Sequence, residues 1–245
     1  MKVLLLGGTG EARRLADLLV AQDIEVVSSL AGRTANARLP VGAVRQGGFG
    51  GVEGLVRWLE DERVDAVVDA THPFAATMTS HAAEAAARTG VPLLVLRRPG
   101  WESPSGDSSN KWYSVDSAAA AAELVPQLGS RVFLTIGRQG LDAFARTGLW
   151  TLARCVDAPD PAPSWCTLLL ARGPFAVDDE LELLREHRID VLVTKDSGGD
   201  MTAAKLTAAE RLGVPVIVIR RPPLPPGVDA VESLDQVVGW LTARR

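Results

Sequence analysis

The chain has 245 residues, 47% hydrophobic and 23% charged, with a formal net charge of −4. That balance supplies a core for two domains of about 120 residues each and leaves nothing that reads as disordered. It excludes a broad nucleic-acid surface, which needs a basic excess, and no run approaches the roughly 18 apolar residues of a membrane span.

Short runs rich in Val, Leu and Ile alternate with helical patterns along the whole chain. The opening VLLLGG has the length of a strand and is followed closely by acidic Glu11, so it reads as a first strand and not as a signal peptide. Strands are expected near 2–7, 24–30, 65–70, 91–97, 131–136, 150–156, 168–172, 190–195 and 214–220, with another short one before Gly47. Their apolar runs are continuous, the pattern of parallel strands buried on both faces. Helices are expected over 11–21, 52–62, 74–89, 116–128, 178–187, 201–212 and 233–243. Pro73 suits the first turn of its helix, where a missing N–H costs little. Gly90 and Gly213 stand just past helix ends, where a left-handed cap favours glycine. The segment 99–112 reads as a surface loop, and the Pro-rich 157–165 as a stiff connector.

Residues 63–99 and 188–222 are near copies. One reads RVDAVVDATHPFA…TGVPLLVLRRP, the other RIDVLVTKDSGGD…LGVPVIVIRRP. A third match pairs KVLLLGGTGEAR at the start with RVFLTIGRQGLD from Arg131. Three ordered matches at similar offsets indicate duplication: two doubly wound parallel-sheet α/β domains, residues 1–128 and 129–245, with a boundary near 126–130. Both halves end in similar V-P strands, so exchange of a terminal strand between domains is possible. The copies differ at their strand ends, where open α/β sheets bind ligands. The first ends in glycines and Thr71-His72-Pro73-Phe74; the second ends in Arg138, Arg172 and Lys195. That asymmetry points to a cofactor in one half and an anionic partner in the other.

Residues 4–13, LLLGGTGEAR, are a strand, a glycine turn and a helix start. Glycines there let backbone approach a pyrophosphate, which the helix N-terminus then holds. Gly8, Thr9, Gly10, Glu11 and Ala12 form this candidate phosphate turn, although Arg13 stands where a third glycine would be. The second strand ends about twenty residues later at Ala31-Gly32-Arg33. An acidic residue at that place bonds the ribose hydroxyls of NAD, whereas a basic one accommodates a 2′-phosphate, so Arg33 favours NADP. The glycines of Gly47-Gly48-Phe49-Gly50-Gly51 allow another close approach of backbone to ligand, or only a flexible turn.

Taken together, GGTGEAR, AGRT, GGFGG, DATHPFA, TIGRQGL, ARGPF, TKDSGG and the K-x-T-A-A helix resemble the precorrin-6A reductases of cobalamin biosynthesis, from Val3 to about Pro226. One departure is Ala12, where the family commonly has glycine. The resemblance implies two Rossmann-like domains, an N-terminal one for NADP(H) and a C-terminal one for the tetrapyrrole. It also implies reduction by NADPH of one C=C bond of the ring-contracted macrocycle precorrin-6A, giving precorrin-6B. Such a polycarboxylate needs donors spread over a broad cleft. Arg138, Arg172 and Lys195 at strand ends, Ser197-Gly198-Gly199 as backbone donors, and Lys205 on the following helix are the candidates.

Thr71, Pro73 and Phe74 lie where a nicotinamide would sit, with Phe74 placed to pack on its ring. His72 is expected to orient a group there and not to donate the proton; Asp196 is the nearest carboxyl for that role. The contrasting reading is a dinucleotide-sensing protein that docks an anionic effector without turnover. Cys155 and Cys166, with three prolines between them, lack the companions of a zinc site, and no metal is expected. They fit a reduced, cytoplasmic protein without nucleic-acid or membrane partners.

Overall fold

The structure, a computed structural model, describes residues 1–32, 38–102, 111–199 and 202–245. The chain divides into two units, residues 1–99 with 222–245 and residues 100–221.

In the first unit the elements run β1 (Lys2–Leu6), α1 (Gly10–Val20), β2 (Glu25–Leu30), β3 (Ala43–Gln46), α2 (Gly51–Asp61), β4 (Ala66–Asp69), α3 (Ala76–Thr89) and β5 (Leu93–Leu96). The second unit follows with β6 (Trp112–Val115), α4 (Ala118–Leu128), β7 (Arg131–Thr135), a 3-10 turn at Leu141–Phe144, β8 (Trp150–Cys155) and β9 (Thr167–Leu170). It closes with α5 (Val177–Glu186), β10 (Val191–Lys195), α6 (Ala204–Leu212) and β11 (Val216–Ile219). The chain then returns to the first unit for β12 (Ala230–Val231) and α7 (Leu234–Thr242).

Each unit has one six-stranded sheet, in the orders β12-β5-β4-β1-β2-β3 and β6-β11-β10-β7-β8-β9. Every pairing is parallel. The orders superpose if β7–β11 stand for β1–β5, which is the duplication seen in the sequence. The repeated Arg-x-Asp opening has a physical basis. Arg63 and Arg188 both take a left-handed turn, at φ 50 and 49. The aspartates two residues on then accept the backbone N–H of the neighbouring strand's first residue, Asp65 from Lys2 (2.6 Å) and Asp190 from Arg131 (2.7 Å).

Continuous apolar strands are buried on both faces, as the sequence predicts. One face of the first sheet puts Val3, Leu5, Val26 and Val68 against Leu15 and Leu19 of α1 and Val237 and Leu241 of α7. The opposite face puts Leu4, Leu6 and Val67 against Leu55 and Leu59 of α2 and Ala82 and Ala85 of α3. In the second sheet Phe133, Leu152 and Leu192 pack on Leu181 and Leu184 of α5 and Ala208 and Ala209 of α6.

Two expectations change. The units divide at 99/100 and 221/222, not near 126–130, because the sixth strand of each sheet comes from the other half of the sequence. β6 pairs with β11, Trp112 against Val216, while β12 pairs with β5, Ala230 against Val95. The loop expected to run to residue 112 therefore ends in an edge strand. In addition, α3 begins at Ala76 and not at residue 74. The Ala75 N–H donates to the His72 carbonyl (2.7 Å), which closes a separate turn around Pro73 before the helix starts. Gly90 and Gly213 end their helices at φ 73 and 65, as expected.

Candidate active site

In both sheets the strand order reverses at one place, between β1 and β4 and between β7 and β10, and the crevice beyond their carboxyl ends is where such folds bind ligands.

At the first of these, Gly8 turns the chain at φ 115, a conformation that disfavours a side chain. Thr9 then caps α1: its hydroxyl accepts from the Ala12 N–H (3.0 Å) and donates to the Ala70 carbonyl (2.8 Å). One side chain thus joins the glycine turn to the end of β4. Ala12, the departure from the family pattern, is accommodated here. A Cβ placed on Gly7 would meet the Ala12 methyl at 3.4 Å, so the bare Gly7 leaves room for it.

Asp69 is 1% exposed and carries the neighbouring loop. It accepts from the Thr71 N–H (3.0 Å), the Thr71 hydroxyl (2.7 Å) and the Thr79 hydroxyl (2.6 Å). Exposed His72 accepts the Phe74 N–H at Nδ1 (3.3 Å), and the two rings lie 5.8 Å apart. Thr9, Glu11, Ala70, Thr71, Pro73, Leu96 and Arg98 line a small open cleft. Most of the cofactor candidates are therefore neighbours: Gly8 to Ala12 on one side, Thr71 to Phe74 on the other. Ala31 and Gly32 lie exposed at the end of β2, where Gly32 takes φ 67. Arg33 lies outside the described residues.

The cleft suits a dinucleotide. It offers a glycine turn, a capped helix N-terminus for phosphate, and a guanidinium, Arg98, that neutralises the acidic Glu11 at 2.8 Å. Sequence reasoning passed over Asp69 and Arg98. Arg98 had a signal, since it belongs to the repeated Arg-Arg-Pro.

In the second unit β7 and β10 are adjacent, and Arg138 and Lys195 follow or end them. Arg138 is exposed; burial, with help from nearby Cys166, pushes the Cys155 thiol at the end of β8 up, and the Arg138 charge offsets only part of that. Lys195 is half-buried, and loss of solvent holds its ammonium below the ordinary lysine value. Arg172 is exposed but follows β9, the edge strand, so β8 separates it from β7. The three strand ends are thus not all adjacent in the sheet.

Ser197, Gly198 and Gly199 form a tight loop, with both glycines left-handed at φ 62 and 71. Trp101 is fastened to this loop. Its backbone N–H donates to Asp196 (3.0 Å) and its indole N–H to the Gly199 carbonyl (3.1 Å). Asp196 also pairs with Arg221 at 3.1 Å. As an acceptor of two donors it is poorly arranged to supply a proton.

Lys205, expected to contact substrate, is buried, 4% exposed. Its ammonium donates to the Thr202 carbonyl and lies 4.6 Å from the centre of the Trp101 ring. Burial, with help from the Arg154 charge and against the pull of Glu180, brings its pKa down to about 7. Arg154 and Glu180 form a buried ion pair, with the Arg154 guanidinium 3.8 Å from the Phe175 ring. Arg154 sits within an apolar strand and gave no sign of this in the sequence. Cys155 and Cys166 are both free thiols. Among the described residues no cluster of His, Cys, Asp and Glu could hold a metal, and no helix is long and apolar enough to cross a membrane.

Known proteins share this architecture. The chain is 58% identical over 243 residues to a precorrin-6A reductase of Rhodococcus erythropolis, covering 98% of this chain and 97% of that one. It is 54% identical over 242 residues to one from Mycobacterium tuberculosis, with coverage of 98% and 97%. A solved structure described as CobK precorrin-6A reductase matches with a TM-score of 0.91 at 44% identity, covering 100% of this chain and 97% of that one. The sequence pattern of the precorrin-6x reductases CbiJ/CobK matches residues 2–242, and the chain belongs to that family.

Proposed function

We propose that this chain reduces precorrin-6A with NADPH, saturating one C=C bond to give precorrin-6B in cobalamin biosynthesis. The observation that carries the reading is the full-length family match together with a glycine turn and capped helix at the switch point of the first sheet. The nicotinamide, when bound, supplies the hydride.

In this reading the first unit binds the dinucleotide. The N–H groups at the start of α1 face its phosphates, and Arg98 neutralises Glu11 so that the carboxylate does not repel them. Asp69 fixes the Thr71–Phe74 turn against Thr79. His72 orients the nicotinamide amide or a substrate carboxylate. Its Nδ1 already accepts a backbone N–H, which favours that role over proton donation. Arg33 remains, from its position in the sequence, a candidate for the 2′-phosphate.

The second unit holds the carboxylates of the tetrapyrrole. Arg138 and Lys195 on adjacent strands, with the Ser197–Gly199 loop, make the first contacts; Arg172 makes an outlying one. Lys205 holds the Thr202 carbonyl beneath Trp101 and contacts substrate only if Trp101 moves aside.

The test is anaerobic incubation with precorrin-6A and NADPH, following loss of NADPH absorbance and the mass of the macrocycle. A gain of two hydrogens coupled to NADPH oxidation supports the reading. Binding of both molecules without oxidation would instead mark a dinucleotide-sensing protein.

A further inference from the structure

We propose that Arg45 recognises the 2′-phosphate of the dinucleotide at the carboxyl ends of β2 and β3. This rests on the reading that the first unit holds NADP(H). Arg45 stands in β3 opposite Ser29 of β2. Its Nη1 donates to the Ser29 hydroxyl (2.9 Å) and the Gly47 carbonyl (3.0 Å), and its Nη2 to the Gly48 carbonyl (3.1 Å). The guanidinium carbon lies 3.7 Å from the centre of the Phe49 ring, which is itself backed edge-on by Trp58 at 5.6 Å.

All three of these acceptors are neutral. Among the described residues no carboxylate lies within ion-pair distance of Arg45, although Lys2, Arg88 and Arg98 of the same unit each have one. Held, among the described residues, by carbonyls, a hydroxyl and two aromatic rings, this half-buried guanidinium keeps its whole charge for a ligand. Burial works against that charge, which is a cost an incoming anion would relieve. Arginine has five N–H donors, and three are engaged here, so two remain without a partner among the described residues. Phosphate takes donors in such paired, planar arrangements.

Position gives the anion its identity. The end of the second strand is where a doubly wound sheet meets the adenosine ribose of a dinucleotide. Arg45 reaches that place from the third strand because the two strand ends run together. The Gly47 N–H donates to the Leu30 carbonyl (2.9 Å), and a Cβ on Gly32 would come within 3.6 Å of the Gly47 nitrogen. The Gly47–Gly51 turn, ambiguous in the sequence, then shapes the mount for Arg45.

The test is calorimetric binding of adenosine 2′,5′-bisphosphate and of 5′-AMP to the wild type, Arg45→Gln and Arg45→Lys, each checked by thermal melting. The wild type is expected to prefer the bisphosphate by about tenfold or more, the size of a charge-assisted contact. Arg45→Gln should lose most of that preference while holding 5′-AMP within about twofold. Arg45→Lys, a point charge without the planar fork, should keep only part of it. If the preference survives in both variants, or if Arg45→Gln loses both ligands equally, Arg45 only fastens the glycine turn and the proposal fails. If Arg45→Gln does not fold, an undiminished preference in Arg45→Lys overturns the proposal. A wild type without any preference, or that binds neither ligand, overturns the NADP(H) reading itself, before any variant is compared.

Discussion

The Arg98 guanidinium donates to the Glu11 carboxylate at 2.8 Å, tying the end of β5 to the first turn of α1. Both side chains are less than a fifth exposed, so the pair is better shielded than a surface bridge. In the proposed reading it lets an acidic residue occupy the end of a helix that receives phosphates. Arg98→Met should therefore weaken NADPH binding by roughly tenfold, equivalent to about 1.4 kcal/mol. Adding Glu11→Gln should recover most of it. Calorimetry on the single and double variants checks this; no recovery in the double variant would mean that Arg98 itself contacts the ligand.

His72→Asn should slow turnover by about tenfold and leave the pH profile largely unchanged. An orienting contact contributes less than the roughly 10²–10⁴ of a positioned general acid. A loss near a thousandfold, with a titration near neutral pH removed, would assign the proton to His72.

Arg138→Ala and Lys195→Ala should each raise the dissociation constant for precorrin-6A while leaving that for NADPH within about twofold. Each removes about 1.5–3 kcal/mol of charge-assisted hydrogen bonding. Arg172→Ala should do less, because its strand lies at the sheet edge with β8 between it and β7. Binding of the macrocycle to the wild type should also weaken as salt is added. A fall in NADPH affinity instead would reverse the roles assigned to the two units.

Lys205 should make stability depend on pH. Its pKa in the fold is about 7, against 10.5 ordinarily. Between those values the unfolded chain holds a proton that the folded one has released, so stability rises with pH across that window. Below pH 7 burying the ammonium carries its full penalty. Lys205→Met removes the penalty, so it should stabilise the protein at about pH 6, with the gain shrinking toward pH 10. Denaturant unfolding of both proteins across this range tests it. A difference that does not change with pH would show that the amine does not titrate there.

Much of the molecule was legible in local pattern. The continuous apolar runs marked the central strands, because a strand covered on both faces has no polar side to show. β6 and β12 escaped notice because they are edge strands. WYSV is only partly buried, and β12 is two residues long. The glycine turn and the cations after β7 and β10 could be named because strand ends in this fold face a ligand whatever the rest does. Arg154 and Asp69 could not, since their roles lie in partners 26 and 10 residues away along the chain; Arg98 had only the repeated Arg-Arg-Pro to mark it, its partner lying 87 residues away.

By itself the sequence determined the duplicated parallel α/β plan, the turns that need glycine, and which half carries the cations. Tertiary structure decided which sheet each sixth strand joins. The edges of β5 and β11 are nearly the same strand, VPLLVL and VPVIVI, and a parallel edge accepts any short strand of suitable register. Local propensity therefore scores both pairings alike. The choice falls to packing, with α7 buried against α1 through Val237 and Leu241 in one unit and Trp112 packed beside Val216 and Val218 in the other. The same dependence on packing put Lys205 beneath Trp101, since burial comes from what folds over a residue and not from the residue's own helix.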